Sequence, residues 1–160
     1  MRITFAVIVM FFSSCSTMKQ NIQKNIKFTD KLISSLLEKN GNVFYLSSTY
    51  VMSSTVWTYA NGKIAIYRLS KGKVIEQRMF FDNGFSDYNI PVIEDLDLEF
   101  EECGYELDGD GFGYRIKSGS EIEKQDLAIG ISCFTKMRYR SAFLNKVVND
   151  INTHGMWDFQ

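Results

Sequence analysis

The chain has 160 residues, of which 45% are hydrophobic and 23% are charged, and it contains a single proline. These proportions are ordinary for a globular protein and exclude a low-complexity or disordered chain. The 18 Lys and Arg residues nearly balance the 19 Asp and Glu residues, which gives a formal net charge of −1. Because the chain lacks an overall basic field, we predict no nucleic-acid partner.

The N-terminus has the order of an export signal. Arg2 precedes ten mostly apolar residues, Ile3–Phe12, and two serines then lead to Cys15. A charged start, an apolar stretch of about 7–15 residues and a small-residue cleavage point are typical of a secretory signal peptide. The apolar stretch is shorter than the roughly 20 residues that a membrane-spanning helix needs. We therefore predict that this segment directs export and is then removed.

Residues 1 to about 17 resemble the lipobox signal of bacterial lipoproteins in its Bacteroidota form, with a Phe/Ser-rich end before Cys15. Phe12 stands where Leu is most common. The resemblance implies cleavage before Cys15 and a diacylglyceryl group on its thiol, and two or three acyl chains make release from a membrane negligible. It also implies the cell envelope of a Gram-negative bacterium, at the periplasmic face of the outer membrane. An ordinary cut after Ser14 or Ser16, which would release a secreted domain, is the alternative.

We divide the chain into a lipoprotein signal peptide (1–14), a lipidated Cys15 with a flexible tether (15–28) and one folded domain (29–160). Residues 16–28 are polar and lysine-bearing and show no sustained apolar face. Cleavage before Cys15 leaves 146 residues, a common size for one domain with a single core.

Hydrophobic periodicity predicts a helix followed by strands. Thr29 or Asp30 is a candidate N-cap, and Gly41 a candidate helix end. The apolar residues between them recur at helical spacing: Leu32, Ile33, Leu36 and Leu37. From Val43 the period changes to two, and turn signals at Asn61-Gly62 and Lys71-Gly72 separate runs over 50–60, 63–70 and 73–81. These runs predict a three-stranded antiparallel meander.

The second half of the chain predicts further strands and a final helix. We expect a hairpin in which residues 105–107 and 112–117 flank a turn at 108–111, Asp-Gly-Asp-Gly, and a central strand over 127–134. The final helix has one apolar face and can end at Gly155. Its apolar residues are Tyr139, Phe143, Leu144, Val147, Val148 and Ile151.

The order of these elements predicts the α+β class. We expect a single antiparallel sheet of about five to seven strands, with an N-terminal and a C-terminal helix packed over one face.

No complete catalytic motif is present. The lone histidine, His154, falls at the end of the final predicted helix, where it can satisfy free carbonyl groups, and no nucleophile motif accompanies it. The Asp-Gly-Asp-Gly turn lacks the acidic twelfth position of an EF-hand. We predict neither a metal site nor a cofactor.

An acidic strand is the candidate catalytic site, if the protein is an enzyme. Four carboxylates alternate with apolar residues and would share one strand face at about 7 Å spacing: Asp95, Asp97, Glu99 and Glu101. Such a spacing could suit a pair of glycosidase carboxylates. The other interpretation is a solvated face, neutralised across strands by Arg115 and Lys117.

Two cysteines remain after Cys15 is lipidated. Cys103 and Cys133 would lie in a compartment that permits disulfides and form a candidate bridge. Spacing does not show that they are close, so two separate buried thiols are the alternative.

Aromatic residues supply the candidate binding surface. Phe81, Phe85 and Tyr88 fall in a turn-rich loop, and Trp157 and Phe159 fall in the last residues of the chain. Aromatic side chains contribute strongly at interfaces and stack on sugar rings. For the C-terminal pair the alternative is packing of the tail on the sheet.

These observations give three functional hypotheses. The first is a lipid-anchored, non-enzymatic envelope domain that binds a protein or glycan partner. The second is an envelope hydrolase that acts on polysaccharide or peptidoglycan through the acidic strand. The third is an accessory subunit of an envelope complex.

Overall fold

The elements of the fold follow the chain as one helix, six strands and one helix within the residues that the structure describes. The structure is a computed structural model that describes residues 3–48, 52–82, 110–128, 130 and 142–157. The bounds are α1 Ile3–Asn40, β1 Asn42–Ser48, β2 Ser53–Ala60, β3 Lys63–Ser70, β4 Lys73–Phe81, β5 Asp110–Ser118, β6 Glu121–Leu127 and α2 Ala142–Thr153.

The six described strands form one antiparallel sheet in the order β4-β3-β2-β1-β5-β6. This sheet and its two helices confirm the α+β class, and β2, β3 and β4 are the predicted meander. Asn61 and Gly62 both have positive φ angles, as do Lys71 and Gly72. Two consecutive positive φ angles match the twist of a hairpin, which is why these pairs reverse the chain in two residues.

Helix α1 begins well before the predicted N-cap and includes residues 16–28, which we expected to form a flexible tether. Asn25 is 4% exposed, and Phe28 packs against apolar residues of the sheet. The segment contains neither Gly nor Pro, so nothing in it interrupts a helix. The backbone of Cys15 lies in this same helix.

The sheet is covered on both faces, whereas we expected helices on one. Helix α1 packs on one face of the sheet through an apolar cluster. The cluster consists of Ile33, Leu36 and Leu37 from α1 and Val43, Val56 and Leu69 from the strands. Helix α2 packs on the other face with a larger cluster that includes Phe44, Trp57, Phe112, Tyr114, Phe143 and Val147. Strands β1 and β2 have buried side chains pointing to both sides, which is typical of a strand between two layers.

The second hairpin has a different turn from the one predicted. Asp110 and Gly111 belong to β5, where they pair with Ser48 and Ser47 of β1. The chain reverses instead after Ser118, and the residue that follows is a glycine with a φ of +63°. The Asp-Gly signal was the stronger turn signal, but pairing with β1 keeps these residues extended. The predicted strand over residues 105–107 lies outside the described residues.

The strand predicted over 127–134 lies almost wholly outside the described residues. Its first residue, Leu127, is the last residue of β6. Residues 129 and 131–141 lie outside the described part of the chain.

Helix α2 carries the predicted apolar face and is fixed to the sheet by a buried polar network. Trp57 Nε1 donates a hydrogen bond of 3.0 Å to Asp150 Oδ2, and Asp150 is 3% exposed. Lys146 Nζ lies 2.8 Å from Asp82 Oδ2 and also pairs with Asp150. Lys146 thereby connects α2 to the end of β4.

Removing the cation from this network should be costly. In a Lys146→Met variant, a nearly inaccessible carboxylate loses its charged partner, so we expect the free energy of unfolding to fall by about 3 kcal/mol. The control is Lys124→Met, which removes a lysine from an exposed position on β6. Urea unfolding measures both variants. Equal small losses would contradict the buried pairing.

The same pair predicts a dependence on alkaline pH. Burial lowers the pKa of Lys146, but hydrogen bonds and charge attraction from Asp150 and Asp82 outweigh it, so the pKa lies above its ordinary value of 10.5. A raised pKa means that the stabilisation is complete below pH 10.5 and is lost as the pH rises through the folded-state pKa. The stability difference between wild type and Lys146→Met should therefore narrow only above pH 10.5. Urea unfolding across this range measures it, and a gap that closes near neutral pH would contradict it.

Candidate functional site

Among the strands whose burial is described at every residue, β4 is the most exposed. It pairs with β3, and within the described strands it forms one end of the sheet. All nine of its residues are exposed or half-buried. A strand in this position presents backbone N–H and C=O groups along its outer edge, which is a template for pairing with another chain.

Two exposed apolar side chains of β4 share one face. Met79 lies opposite Ala65 and Phe81 opposite Lys63, so both are on the face that α1 covers further along the sheet. Met79 is 55% exposed and Phe81 is 77% exposed. Helix α1 therefore leaves this part of the sheet face accessible.

The opposite face of β4 is charged. Glu76 accepts an ion pair of 2.6 Å from Arg78 and lies 3.9 Å from Arg68 on β3. Exposed pairs of this kind add little stability. Their effect is to place two opposite charges on this face, which also carries Phe80.

Phe80 fixes β4 against α2. Its ring lies 4.5 Å from the His154 ring, and Lys146 Nζ lies 5.5 Å from its centroid. His154 also donates its backbone N–H to the Asp150 carbonyl, which closes the last turn of α2. The imidazole therefore packs against an aromatic ring on the sheet, and no contact from it to a helix carbonyl is seen.

The predicted aromatic site is divided by the structure. Phe81 is exposed on β4, whereas Trp157 is 8% exposed and belongs to the core cluster under α2, as the packing alternative described. Phe85, Tyr88 and Phe159 lie outside the described residues. Sequence reasoning missed Met79, although its position two residues before Phe81 was a signal that both share a strand face.

Other predicted residues lie where the structure gives no test. The acidic strand, Asp95, Asp97, Glu99 and Glu101, lies outside the described residues, and so do Cys103 and Cys133. The hydrolase alternative and the disulfide therefore stay predictions. Arg115 forms two hydrogen bonds of 2.9 Å with Asp126, and its pairing with the acidic strand stays a prediction.

A second cluster lies at the other end of the described sheet. Tyr45, Gly113 and Asp126 are direct neighbours across β1, β5 and β6. The Tyr45 ring extends over Gly113, its hydroxyl donates a hydrogen bond to Asp126, and Arg115 lies 5.2 Å from its centroid. A side chain on Gly113 would occupy the space of this ring. The cluster is thus closed internally around a glycine.

A cavity of about 310 Å³ lies beside this cluster, lined by Tyr45, Ser47, Gly111, Phe112, Asp126, Leu127 and Ala128. Burial and, secondly, the charge of Asp30 raise the pKa of Asp126. Burial also lowers the pKa of Arg115. The Asp126 side chain is 63% exposed, so this ion pair adds little stability, and its main effect is to position Tyr45.

Two further observations bound the chemistry. Within the described residues, no group of three or more His, Cys, Asp or Glu side chains is arranged to hold a metal ion. In the same part of the chain, no helix combines the length and the apolar character needed to cross a membrane.

The Tyr45 cluster predicts a sharp difference between two glycines of β5. In Gly113→Ala the new methyl group would overlap the Tyr45 ring and lie 2.7 Å from Asp126 Oδ1, so we expect a loss of about 1–3 kcal/mol in the free energy of unfolding. The matched control is Gly111→Ala, whose methyl group would meet Ser47 Oγ at 3.4 Å, an ordinary contact. Thermal and urea unfolding measure both.

A double variant tests the cause. In Tyr45→Ala the ring is absent, so adding Gly113→Ala should then cost much less than it does in the wild-type background. Additive losses would contradict the overlap as the reason for the glycine.

Comparisons with known proteins found no match among protein-family models, curated proteins or solved structures.

Proposed function

We propose that the protein is a lipid-anchored cell-envelope domain with a non-enzymatic role, which binds a protein partner along β4. The observation that carries the proposal is that β4 ends the described part of the sheet and has the exposed side chains of Met79 and Phe81 on one face. The partner contributes an extended segment that pairs with the outer edge of β4.

Main-chain pairing supplies the first part of the recognition. When a peptide adds to a sheet edge, backbone hydrogen bonds give affinity and alternate side chains give specificity. Nine residues of β4 offer such an edge, a length of about 30 Å at 3.3–3.4 Å per residue. This length suits a strand from a folded partner better than a small glycan, so the proposal favours a protein.

The side chains supply the second part. Met79 and Phe81 offer apolar area on the α1 side, while Glu76 and Arg78 offer opposite charges on the other side. A complementary segment therefore alternates apolar residues with polar or charged ones. Aromatic residues and Met are enriched in protein interfaces, which fits this surface.

Lipid at Cys15 supplies the location. Strand β4 begins near the N-terminal half of α1, where Gly72 lies beside Lys24, and ends with Phe81 at the far end of the sheet. With the lipid at Cys15, the apolar end of β4 points away from the anchoring membrane. A partner can then reach it from the aqueous side.

The partner site is tested by cross-linking in the native host. A photo-reactive amino acid replaces Gln77, which is exposed on the same face of β4 as Met79, and cross-linked proteins are identified by mass spectrometry. We expect one dominant protein adduct, and Met79→Ser with Phe81→Ser should reduce it about tenfold or more because apolar contact area is lost.

The matched control is Ile122→Ser on β6, which removes a side chain of similar exposure, 54%, at the other end of the described sheet. This variant should leave the adduct unchanged. An adduct that is equally reduced by both changes, or a glycan captured at Gln77 in place of a protein, would contradict the proposal. Unfolding curves confirm that each variant is folded.

The anchor is tested separately. Mass spectrometry of the protein from host membranes should show a chain that begins at Cys15 and carries diacylglyceryl on its sulfur. Cys15→Ser should move the protein out of the membrane fraction, whereas Ser16→Ala should leave it there. An unmodified Cys15 thiol in membrane-bound protein would contradict the lipid anchor.

A further inference from the structure

We propose that the end of the domain nearest Cys15 is a docking surface for anionic lipid headgroups. The surface, here called the basic end, consists of Lys24 on α1 with Lys71 and Lys73 of the β3–β4 turn. The inference rests on the proposed lipid anchor and deepens it, because it gives the anchored domain a defined orientation on the membrane.

The β3–β4 turn is held directly against α1. Gly72 has a φ of +77°, and a Cβ there would lie 3.3 Å from both Cβ and the carbonyl oxygen of Lys24. The Gly72 N–H also donates to Asn25 Oδ1 at 3.4 Å, while Asn25 Nδ2 donates to Ser54 Oγ at 3.1 Å. The turn lysines are therefore placed beside Lys24 by the packing of backbone on backbone.

The charge at this end is positive and exposed. All three lysines of the basic end are exposed, and α1 adds Lys27 and Lys31, three and seven residues after Lys24 on the same helix face. Among the described residues of β4, the carboxylate of Glu76 pairs with Arg78.

Apolar side chains accompany these lysines. Val74 and Ile75, directly after Lys73, are 38% and 46% exposed. Basic residues beside exposed apolar residues are the combination found on surfaces that lie at a membrane interface.

The helical segment before Asn25 sets the distance to the bilayer. Ten residues separate Asn25 from Cys15, and at 1.5 Å per residue they measure about 15 Å. If the helix is perpendicular to the membrane, extended lysine side chains place their ammonium groups about one Debye length from the headgroups. The Debye length is about 8 Å at physiological ionic strength. Any tilt towards the turn brings the lysines to the headgroups. Anionic lipid attracts each such lysine, so the tilted orientation is favoured.

The test measures lysine accessibility in the reconstituted, lipidated protein. Protein purified from host membranes is placed in vesicles of phosphatidylcholine, with or without phosphatidylglycerol, and labelled with a membrane-impermeant amine reagent. We expect anionic lipid to reduce labelling of the basic end about fivefold or more. Lys63 and Lys117, exposed at the opposite end of the sheet, are internal controls and should not change.

A charge reversal confirms the source of the effect. Lys71→Glu with Lys73→Glu should abolish the anion-dependent protection of Lys24, whereas Lys63→Glu with Lys117→Glu should preserve it. High salt should abolish the protection without releasing the protein from vesicles, since salt screens charge and leaves acyl chains in place. Equal labelling of Lys24 in both lipid compositions would overturn the proposal, as would equal protection by soluble polyphosphate.

Failure of the anchor gives a different result. A chain without lipid would not float with pure phosphatidylcholine vesicles, which measures the anchor alone. Protection of the basic end by phosphatidylglycerol is then measured, as reduced lysine labelling, in the protein that floats. An anchored protein without protection overturns only the docking surface, and a protein that does not float overturns the anchor.

Discussion

The hydroxyl of Ser54 connects the N-terminal helix to the sheet, and the rest of the arrangement depends on this contact. It accepts hydrogen bonds from Asn25 at 3.1 Å and from Thr29 at 3.2 Å, and all three residues are buried. Fifteen residues after Asn25 along the helix, Asn40 donates to Thr58 on the same strand at 3.0 Å. Buried polar groups lose stability when unpaired, so these bonds define one register of α1 on β2 where apolar contacts alone would permit sliding.

That register determines what is covered and what is left accessible. Helix α1 lies over β1, β2, β3 and β5, and β4 extends beyond it, with Met79 and Phe81 on a face that α1 leaves exposed. On the other side, Phe80 and Asp82 connect β4 to α2 through contacts with His154 and Lys146. Strand β4 is therefore rigidly supported from one layer and exposed to the other, a combination that lowers the entropy cost of adding a further strand.

The features that could be predicted from the sequence are those that depend on local turn chemistry. Asn61-Gly62 and Lys71-Gly72 adopt positive φ angles for reasons internal to two residues, so the meander could be predicted without knowledge of the core. The Asp-Gly pair at residues 110–111 carries the same local signal, but pairing with β1 overrides it, and only the tertiary structure supplies that partner. Local turn chemistry is therefore informative where no competing strand is available.

The N-terminal part of α1 and the covering of both faces were missed for a related reason. Its contacts with the sheet come through Asn25 and Thr29, two polar residues that a hydrophobic pattern ignores, and through Phe28. For the candidate site, the aromatic residue Phe81 was predicted. That Phe81 is exposed beside Met79 depends on which part of the sheet face α1 covers, and this is a tertiary feature. Trp157 shows the converse, since an aromatic residue near a chain end is buried by a helix that precedes it.

A helical connection has a consequence that a flexible tether would not have. A random tether of thirteen residues would allow the domain to sample many heights and orientations, and its ends would separate by about 20 Å on average. The helix instead couples the direction of β4 to the direction of α1, because the Ser54 contacts fix one relative to the other. On a lipid anchor, any interaction that orients α1 therefore also orients the edge of β4. In the proposed arrangement, binding of a partner and contact with the membrane act through one rigid body, and each lowers the orientational cost of the other.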